Sequence, residues 1–298
     1  GFATMGTIRD KKLKNEEQRL IVSQDNKLIQ KMSTDYDYER NLTKQSFVLD
    51  VYQRKMIALL IAHVSPDDEE FRMEKISFAN FAKLMNIPKG GKTTELIHSS
   101  IAKLMGMSFC IEVKPRVYEY YHWIAGGCRV DEEERAIYIQ LDAPLKRFLI
   151  GNKRHFTSYE LGYISGLKGK YSCRMYEYMK SVGNLHMLNV RVETFSQRIT
   201  DGVYALPYDL KRRVIEPSLK EINATSDIRV RYEEIIDTNA SGRPKVTGYK
   251  FIITEKTYEE KQEIMSKWGI KFDDILLLED GERPKFETVE EPKTKWFE

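Results

Sequence analysis

The stretch YDLKRRVIEPSLKEIN, from Tyr208 to Asn223, constrains this chain more than any other, because it separates two faces at helical spacing. At 100° per residue, Leu210, Val214, Ile215, Leu219 and Ile222 cover one half of the circumference. Arg212, Arg213, Glu216, Lys220 and Asn223 fall within about 100° on the opposite side. Such a helix must bury one flank in a core and hold the other, cationic flank in solvent. Pro217 lacks an N–H, removes one intrahelical bond and should bend the helix there. Two strand-like runs follow at once, DIRVRYEEII and KVTGYKFIIT, with a tip at Asn239–Pro244. A helix running straight into a long hairpin is the second half of a winged helix.

The preceding residues supply the first half. KYSCRMYEYMKSV reads as a helix, and LNVRVETFSQRIT as a short strand running into another. The same order stands further upstream. FVLDVYQRKMIALLIAHV is a core helix, followed by the short helix ISFANFAKLMNI, the breaker PKGGK and the helix TTELIHSSIAKLMGM. SFCIEV, VYEYYHWI and RAIYIQLD are strands, with AGGCRVDEEE as a long turn. The fold class that follows is α+β: two tandem winged-helix domains, each a helical bundle with a β-hairpin wing. The expected boundaries are a tag and mobile arm over 1–26, a first domain over 27–163, and a second over 164–254. An acidic tail over 255–298 should hold one short helix, TYEEKQEIMSKW, before a disordered Pro- and Glu-rich end. The start GFATMG reads as an expression scar ahead of Met5.

Charge is distributed unevenly. From Glu255 onward there are 8 basic and 13 acidic residues, leaving 40 basic and 32 acidic in the body, or +8. A mildly basic body permits nucleic-acid binding without requiring it. No apolar run approaches a membrane span of roughly 18 residues, so no membrane partner is expected. The cysteines at 110, 128 and 173 share no C-x-x-C spacing, which fits a reducing bacterial cytoplasm and argues against disulfides or zinc clusters.

Enzyme signatures fail on inspection. KGGKTTE, Lys89–Glu95, ends like a phosphate-binding loop, but its first required glycine is Asn86 and a helix precedes it. A tyrosine-dependent nicking enzyme needs a metal-binding histidine pair, and His63, His98, His122, His155 and His186 are dispersed. No catalytic residue, metal or cofactor is therefore expected.

The cationic stripe has a use instead. Arg offers a fork to guanine O6 and N7, Asn pairs with adenine, and Lys neutralises phosphate. Arg212, Arg213, Glu216, Lys220 and Asn223 are the candidate base contacts. Lys168, Lys170, Tyr171 and Arg174, at the start of the tyrosine-rich helix, would offer charge and free N–H groups to the DNA backbone. Met175, Tyr178 and Met179 should face inward. Arg229, Arg231, Arg243 and Lys245 on the wing complete the backbone contacts. On the first domain's weaker helix, Ile97, Ile101, Leu104 and Met105 should face inward. Lys89, Lys92, Thr93, Ser99 and Lys103 there offer a supporting contact.

KYSCRMYEYMK, LKRRVIEPSLKEINATSDIRVRYEE and GRPKVTGYKFII resemble the second winged helix of the iteron-binding plasmid replication initiators. LTKQSFVLDVYQRKMIALLI, ISFANFAKLMNI and YIQLDAPLKRFLIGNKRHFTSYEL are similar to that family's first winged helix. The resemblance covers roughly residues 27–254. It implies a protein that binds direct-repeat double-stranded DNA at a plasmid origin and helps to open the adjacent AT-rich duplex. It also implies recruitment of the host initiator and helicase, homodimers joined through the first winged helix, and repression of the chain's own promoter. The weakly basic first-domain helix departs from the family pattern. The competing readings are a winged-helix repressor on an inverted repeat and, below it, a nicking initiator.

Overall fold

The computed structural model describes residues 20–29, 49–150 except 66, 89 and 91, 156–268 except 239–241 and 243, and 276–277. Strand β1 (Ile21–Asp25) comes first. Helix α1 (Val51–Ala62) starts at a reciprocal cap. Asp50 accepts from the N–H groups of Tyr52 and Gln53 at 3.0 and 3.1 Å, and the Gln53 side chain accepts from Asp50 N–H at 3.1 Å. Every residue of α1 except Tyr52 is buried, so the expected core helix is present and is wrapped on all sides.

Next come β2 (Glu74–Ser77), α2 (Phe78–Met85) and α3 (Lys92–Met105). The stretch expected as one short helix, ISFANFAKLMNI, thus opens as a strand; Ser77 then caps α2 by accepting from Asn80 N–H at 3.1 Å. The hairpin β3 (Ser108–Lys114) and β4 (Val117–His122) follows. Strands β5 (Arg129–Asp131) and β6 (Ala136–Ile139) come after it. The expected long turn AGGCRVDEEE therefore contains a strand, β5, paired with β6. Strand β7 (Phe156–Glu160) pairs antiparallel with β1, with Val22 opposite Tyr159. Residues 21–25, expected in a mobile arm, are instead a paired strand whose Val22 is fully buried.

The second half runs α4 (Ser172–Ser181), β8 (Met187–Arg191) and α5 (Val192–Thr200). A long helix then spans 207–225 in three pieces: α6 (Pro207–Leu210), a π turn (Lys211–Ile215) and α7 (Glu216–Thr225). Strands β9 (Ile228–Asp237) and β10 (Lys245–Glu255) form the expected hairpin. Its tip at 239–241 and Arg243 lie outside the described residues. Helix α8 (Tyr258–Trp268) matches the expected tail helix.

The two halves repeat one topology. Each places helix, strand and two helices before its last two strands, and the sheets order as β2–β6–β5 and β8–β10–β9. In both, the final strand lies in the middle and the strand after the first helix lies at the side. That is the winged-helix arrangement, twice, with the β3–β4 hairpin inserted in the first copy. The tail adds to the first sheet. Strand β11 (Leu276–Leu277) pairs antiparallel with β2, Leu276 opposite Lys75, where disorder was expected; 269–275 and 278–298 lie outside the described residues.

One contiguous core runs from Val22 through Met56 and Trp123 to Phe251 and Ile253. Helix α4 sits at its centre. Its residues Ser172 to Met179 are all buried, including Arg174 and Glu177. Met175, Tyr178 and Met179 face inward as expected, but so does everything else in those turns. No helix among the described residues is long and apolar enough to cross a membrane.

Candidate nucleic-acid interface

The helix 207–225 shows both expected faces. Leu210, Val214, Ile215 and Ile222 are fully buried and Leu219 nearly so. Arg212, Arg213, Glu216, Pro217 and Lys220 are exposed on the other side. The local disruption takes the form of the π turn rather than a break. Pro217 cannot donate to Arg213, and the Glu216 N–H reaches back five residues to the Lys211 carbonyl. The helix start is held to the sheet by Tyr249, whose hydroxyl donates to the Pro207 carbonyl at 3.1 Å.

The cations on this face differ in their attachments. Arg213 pairs with Asp209 one turn earlier at 3.2 Å and lies 5.9 Å from the centre of the Tyr204 ring. Arg213 is exposed and Asp209 half-buried at the surface, so the net strength of the pair is about 0–1 kcal/mol and a phosphate or base can displace it. Arg212 and Lys220 have no ion-pair partner among the described residues. Glu216 accepts weakly from the Tyr232 hydroxyl at 3.4 Å. Asn223 differs from the expectation: its amide donates to the Val230 carbonyl at 2.9 Å, and its oxygen accepts from Val230 N–H at 2.7 Å. Both ends of the side chain hold β9, so Asn223 links helix to wing and is spent there.

Lys168 and Lys170 are exposed beside this helix, because the turn before α4 docks on α7. The Glu221 carboxylate accepts from the N–H groups of Lys168 and Gly169 at 3.0 and 2.9 Å. Those two N–H groups lie ahead of the ones near Tyr171 that were expected to meet a phosphate; of the latter, the Ser172 N–H donates to the Gly169 carbonyl at 3.1 Å. A Cβ at Gly169 would sit 2.4 Å from Ser172 Oγ and 3.3 Å from Glu221, so a larger residue there would have to displace those side chains. The ammonium of Lys170 stacks 5.2 Å over the Tyr171 ring, and that ring is itself buried, so Tyr171 is corrected from backbone contact to core.

Arg174 is likewise corrected. It lies 6% exposed against Asp201, with N–O distances of 3.3 Å. Asp201 and Gly202 both adopt left-handed backbone, at φ 53° and 75°, to make the tight turn between α5 and the long helix. Arg174 therefore pins the turn from inside and has no access to DNA.

On the wing, Arg229, Arg231 and Lys245 are exposed. Arg229 contacts Glu260 of α8 at 2.7 Å and Arg231 contacts Glu233 at 3.2 Å, both at the surface. Lys256, buried, donates to the carbonyls of Asn223 and Ser226 and so closes the C-terminus of the long helix. Burial lowers its pKa. Sequence reasoning missed Glu221, Tyr249 and Lys256, although Glu221 and Tyr249 lie in the stretches LKRRVIEPSLKEINATSDIRVRYEE and GRPKVTGYKFII that carry the resemblance.

On the first half, Lys92, Ser99 and Lys103 are exposed on α3, and Lys89 lies outside the described residues. Lys103 reaches Asp50 at 3.3 Å. Thr93 is corrected: it is buried in the first turn of α3. Met105, expected inside, is 41% exposed at the helix end. Among the described residues no group of three His, Cys, Asp or Glu could hold a metal ion.

Residues 35–180 match the family model described as Initiator Replication protein, WH1, and residues 191–253 match Initiator Rep protein, WH2. Among solved structures, the chain is similar to the selenomethionine derivative of domains 2 and 3 of RctB. That match has 13% identity and a TM-score of 0.40, and covers 70% of this chain and 81% of that one. A second structure of RctB domains 2–3 matches at 12% identity and a TM-score of 0.38, over 70% and 82%. No curated protein matches the chain.

Proposed function

The chain belongs to the initiator replication protein family, DNA-binding proteins with two winged helices, and from that premise we propose that it binds direct repeats at a plasmid origin. The observation that carries this reading is the pair Arg212 and Lys220: exposed, without ion-pair partners among the described residues, and backed by the buried Val214, Ile215 and Ile222. A helix anchored so firmly on one side can enter the major groove as a rigid body. Arg212 and Arg213 would read guanine edges there, with Glu216 and Lys220 on the same stripe. Lys168, Lys170, Arg231 and Lys245 flank the stripe and would track phosphates. Arg229 joins them once Glu260 is displaced. Lys92, Ser99 and Lys103 of the first half would add a weaker contact.

In this reading the bound protein assists opening of neighbouring AT-rich DNA and recruits the host initiator and helicase. A homodimer through the first winged helix would repress the protein's own gene. The domain limits proposed are 27–163 and 164–254, with α4 as the shared centre. Nuclease footprinting on duplexes selected from random pools tests the reading. Tandem direct repeats about two helical turns apart are expected. A single inverted repeat would replace the initiator reading with that of a dimeric repressor.

A further inference from the structure

The residues that lead into the long helix break two local rules at once. Val203, Leu206 and Tyr208 are 53%, 62% and 66% exposed, three apolar side chains within six residues. Single exposed apolar residues are ordinary, whereas three in one short segment leave apolar surface available to a partner. Leu206 also occupies the N-cap of the helix and makes no side-chain cap bond. Ser, Thr, Asp or Asn would satisfy a backbone donor there, and an apolar residue forgoes that gain.

The segment is nevertheless held in place. The Ser196 hydroxyl donates to the Tyr204 carbonyl at 2.6 Å, and the Tyr204 ring packs edge-on to Tyr171 at 6.1 Å. Tyr249 fixes Pro207 from the other side. A loop that gives up its cap, exposes leucine and tyrosine, and is still anchored at both ends is shaped for something outside the chain.

What that partner is follows from position. In helix-turn-helix docking the N-terminal residues of the reading helix meet the base edges. Leu206 and Tyr208 stand ahead of Arg212 and Arg213 on that end, and Arg213 lies over Tyr204 of the same loop. An apolar surface bordered by arginines suits one feature of the major groove, the C5-methyl group of thymine. We propose that Leu206 and Tyr208 form a thymine-methyl contact that selects T·A pairs beside the guanines read by the arginines. The inference rests on the major-groove reading above.

The test uses the full chain and a duplex recovered by selection from random pools, with thymines replaced one at a time by deoxyuridine, which lacks only the methyl. At one or two positions the unmodified protein should lose about four-fold in affinity, the scale of one buried methyl group. Leu206→Ser should show no loss at those positions and bind both duplexes alike, while its Tm stays level or rises about 2–4 °C from the restored cap. Tyr208→Ala gives an independent second variant. If deoxyuridine costs the unmodified protein nothing at any position, or costs both variants as much, the contact does not exist. Arg212→Ala separates the two levels: failure of the methyl contact alone leaves its loss of sequence-specific binding intact, whereas failure of the groove reading abolishes that loss too.

Discussion

The Glu221 carboxylate accepts a hydrogen bond from the Gly169 N–H at 2.9 Å, joining the turn that carries Lys168 and Lys170 to the helix that carries Arg212 and Arg213. Glu221 also takes the Lys168 N–H at 3.0 Å, so one side chain sets the position of Lys168 and Lys170 relative to the exposed stripe of the long helix. It acts as a positioning group and would not itself face DNA.

Removing it should therefore cost stability and placement together. Glu221→Ala gives up two charge-assisted bonds, and urea unfolding should show a loss of about 1.5–3 kcal/mol. Lys168→Ala with Lys170→Ala should cost at most about 1 kcal/mol, the scale of the exposed Lys170–Tyr171 contact, since both side chains are exposed. The same pair should flatten the dependence of log K on log salt by about 0.9 for each phosphate they had neutralised. An unchanged salt slope would remove these lysines from the interface.

A second pair ties the halves of the molecule. Arg54 of α1 and Glu177 of α4 form an ion pair with side-chain exposures of 6% and 2%. Gln24 of β1 donates to the same carboxylate at 2.9 Å, and the Tyr159 hydroxyl of β7 also donates to it. Glu177→Ala leaves a buried guanidinium uncompensated and should cost about 3–5 kcal/mol. Arg54→Met combined with Glu177→Leu should recover part of that loss, because the unpaired charge is gone. A double variant as unstable as the sum of its singles would contradict the pairing.

Much of the long helix is legible in the sequence, and the reason is local. Its apolar positions recur at helical spacing, and Leu210, Val214, Ile215, Leu219 and Ile222 all reach the core. The wing hairpin and the tail helix carry equally local signals. Helix α4 misleads because Arg174, Glu177 and Lys180 have the spacing of a solvated face. Their partners are distant in sequence: Asp201 is 27 residues from Arg174, and Asp227 meets Lys180 at 2.8 Å from 47 residues away. Periodicity counts charges and cannot see what compensates them. Strands β1 and β11 escape for the same reason, since each pairs with a strand far along the chain. Asn223 suggests a DNA contact by residue type alone, and the backbone of Val230 takes up its donor and acceptor first.

The buried tyrosines give a pH signature. Burial, with Tyr204 and Asp201 nearby, pushes the Tyr171 hydroxyl up to about 12, against 10.0 for an ordinary tyrosine. Burial beside Glu177 raises Tyr159, and burial beside Asp227 raises Tyr176. Between pH 10 and about 12 the folded chain holds these protons while the unfolded chain releases them, so unfolding becomes easier as pH rises. Urea midpoints should be level below that window with respect to these groups and fall across it. Tyrosinate absorbance should show the buried set ionising only as the chain unfolds. Ionisation of every tyrosine near 10 with the fold intact would contradict this burial.

On the proposed reading, Arg212 and Arg213 meet guanines in the major groove. Methylation interference on a selected duplex measures this, because methylating guanine N7 blocks that edge alone. Methylation at specific guanines should abolish binding of the unmodified protein. With Arg212→Ala or Arg213→Ala, interference should vanish at one guanine each, with a loss of roughly 1–3 kcal/mol on the selected site and little on random DNA. Binding that tolerates N7 methylation at every guanine, or equal losses on selected and random duplexes, would contradict the claim.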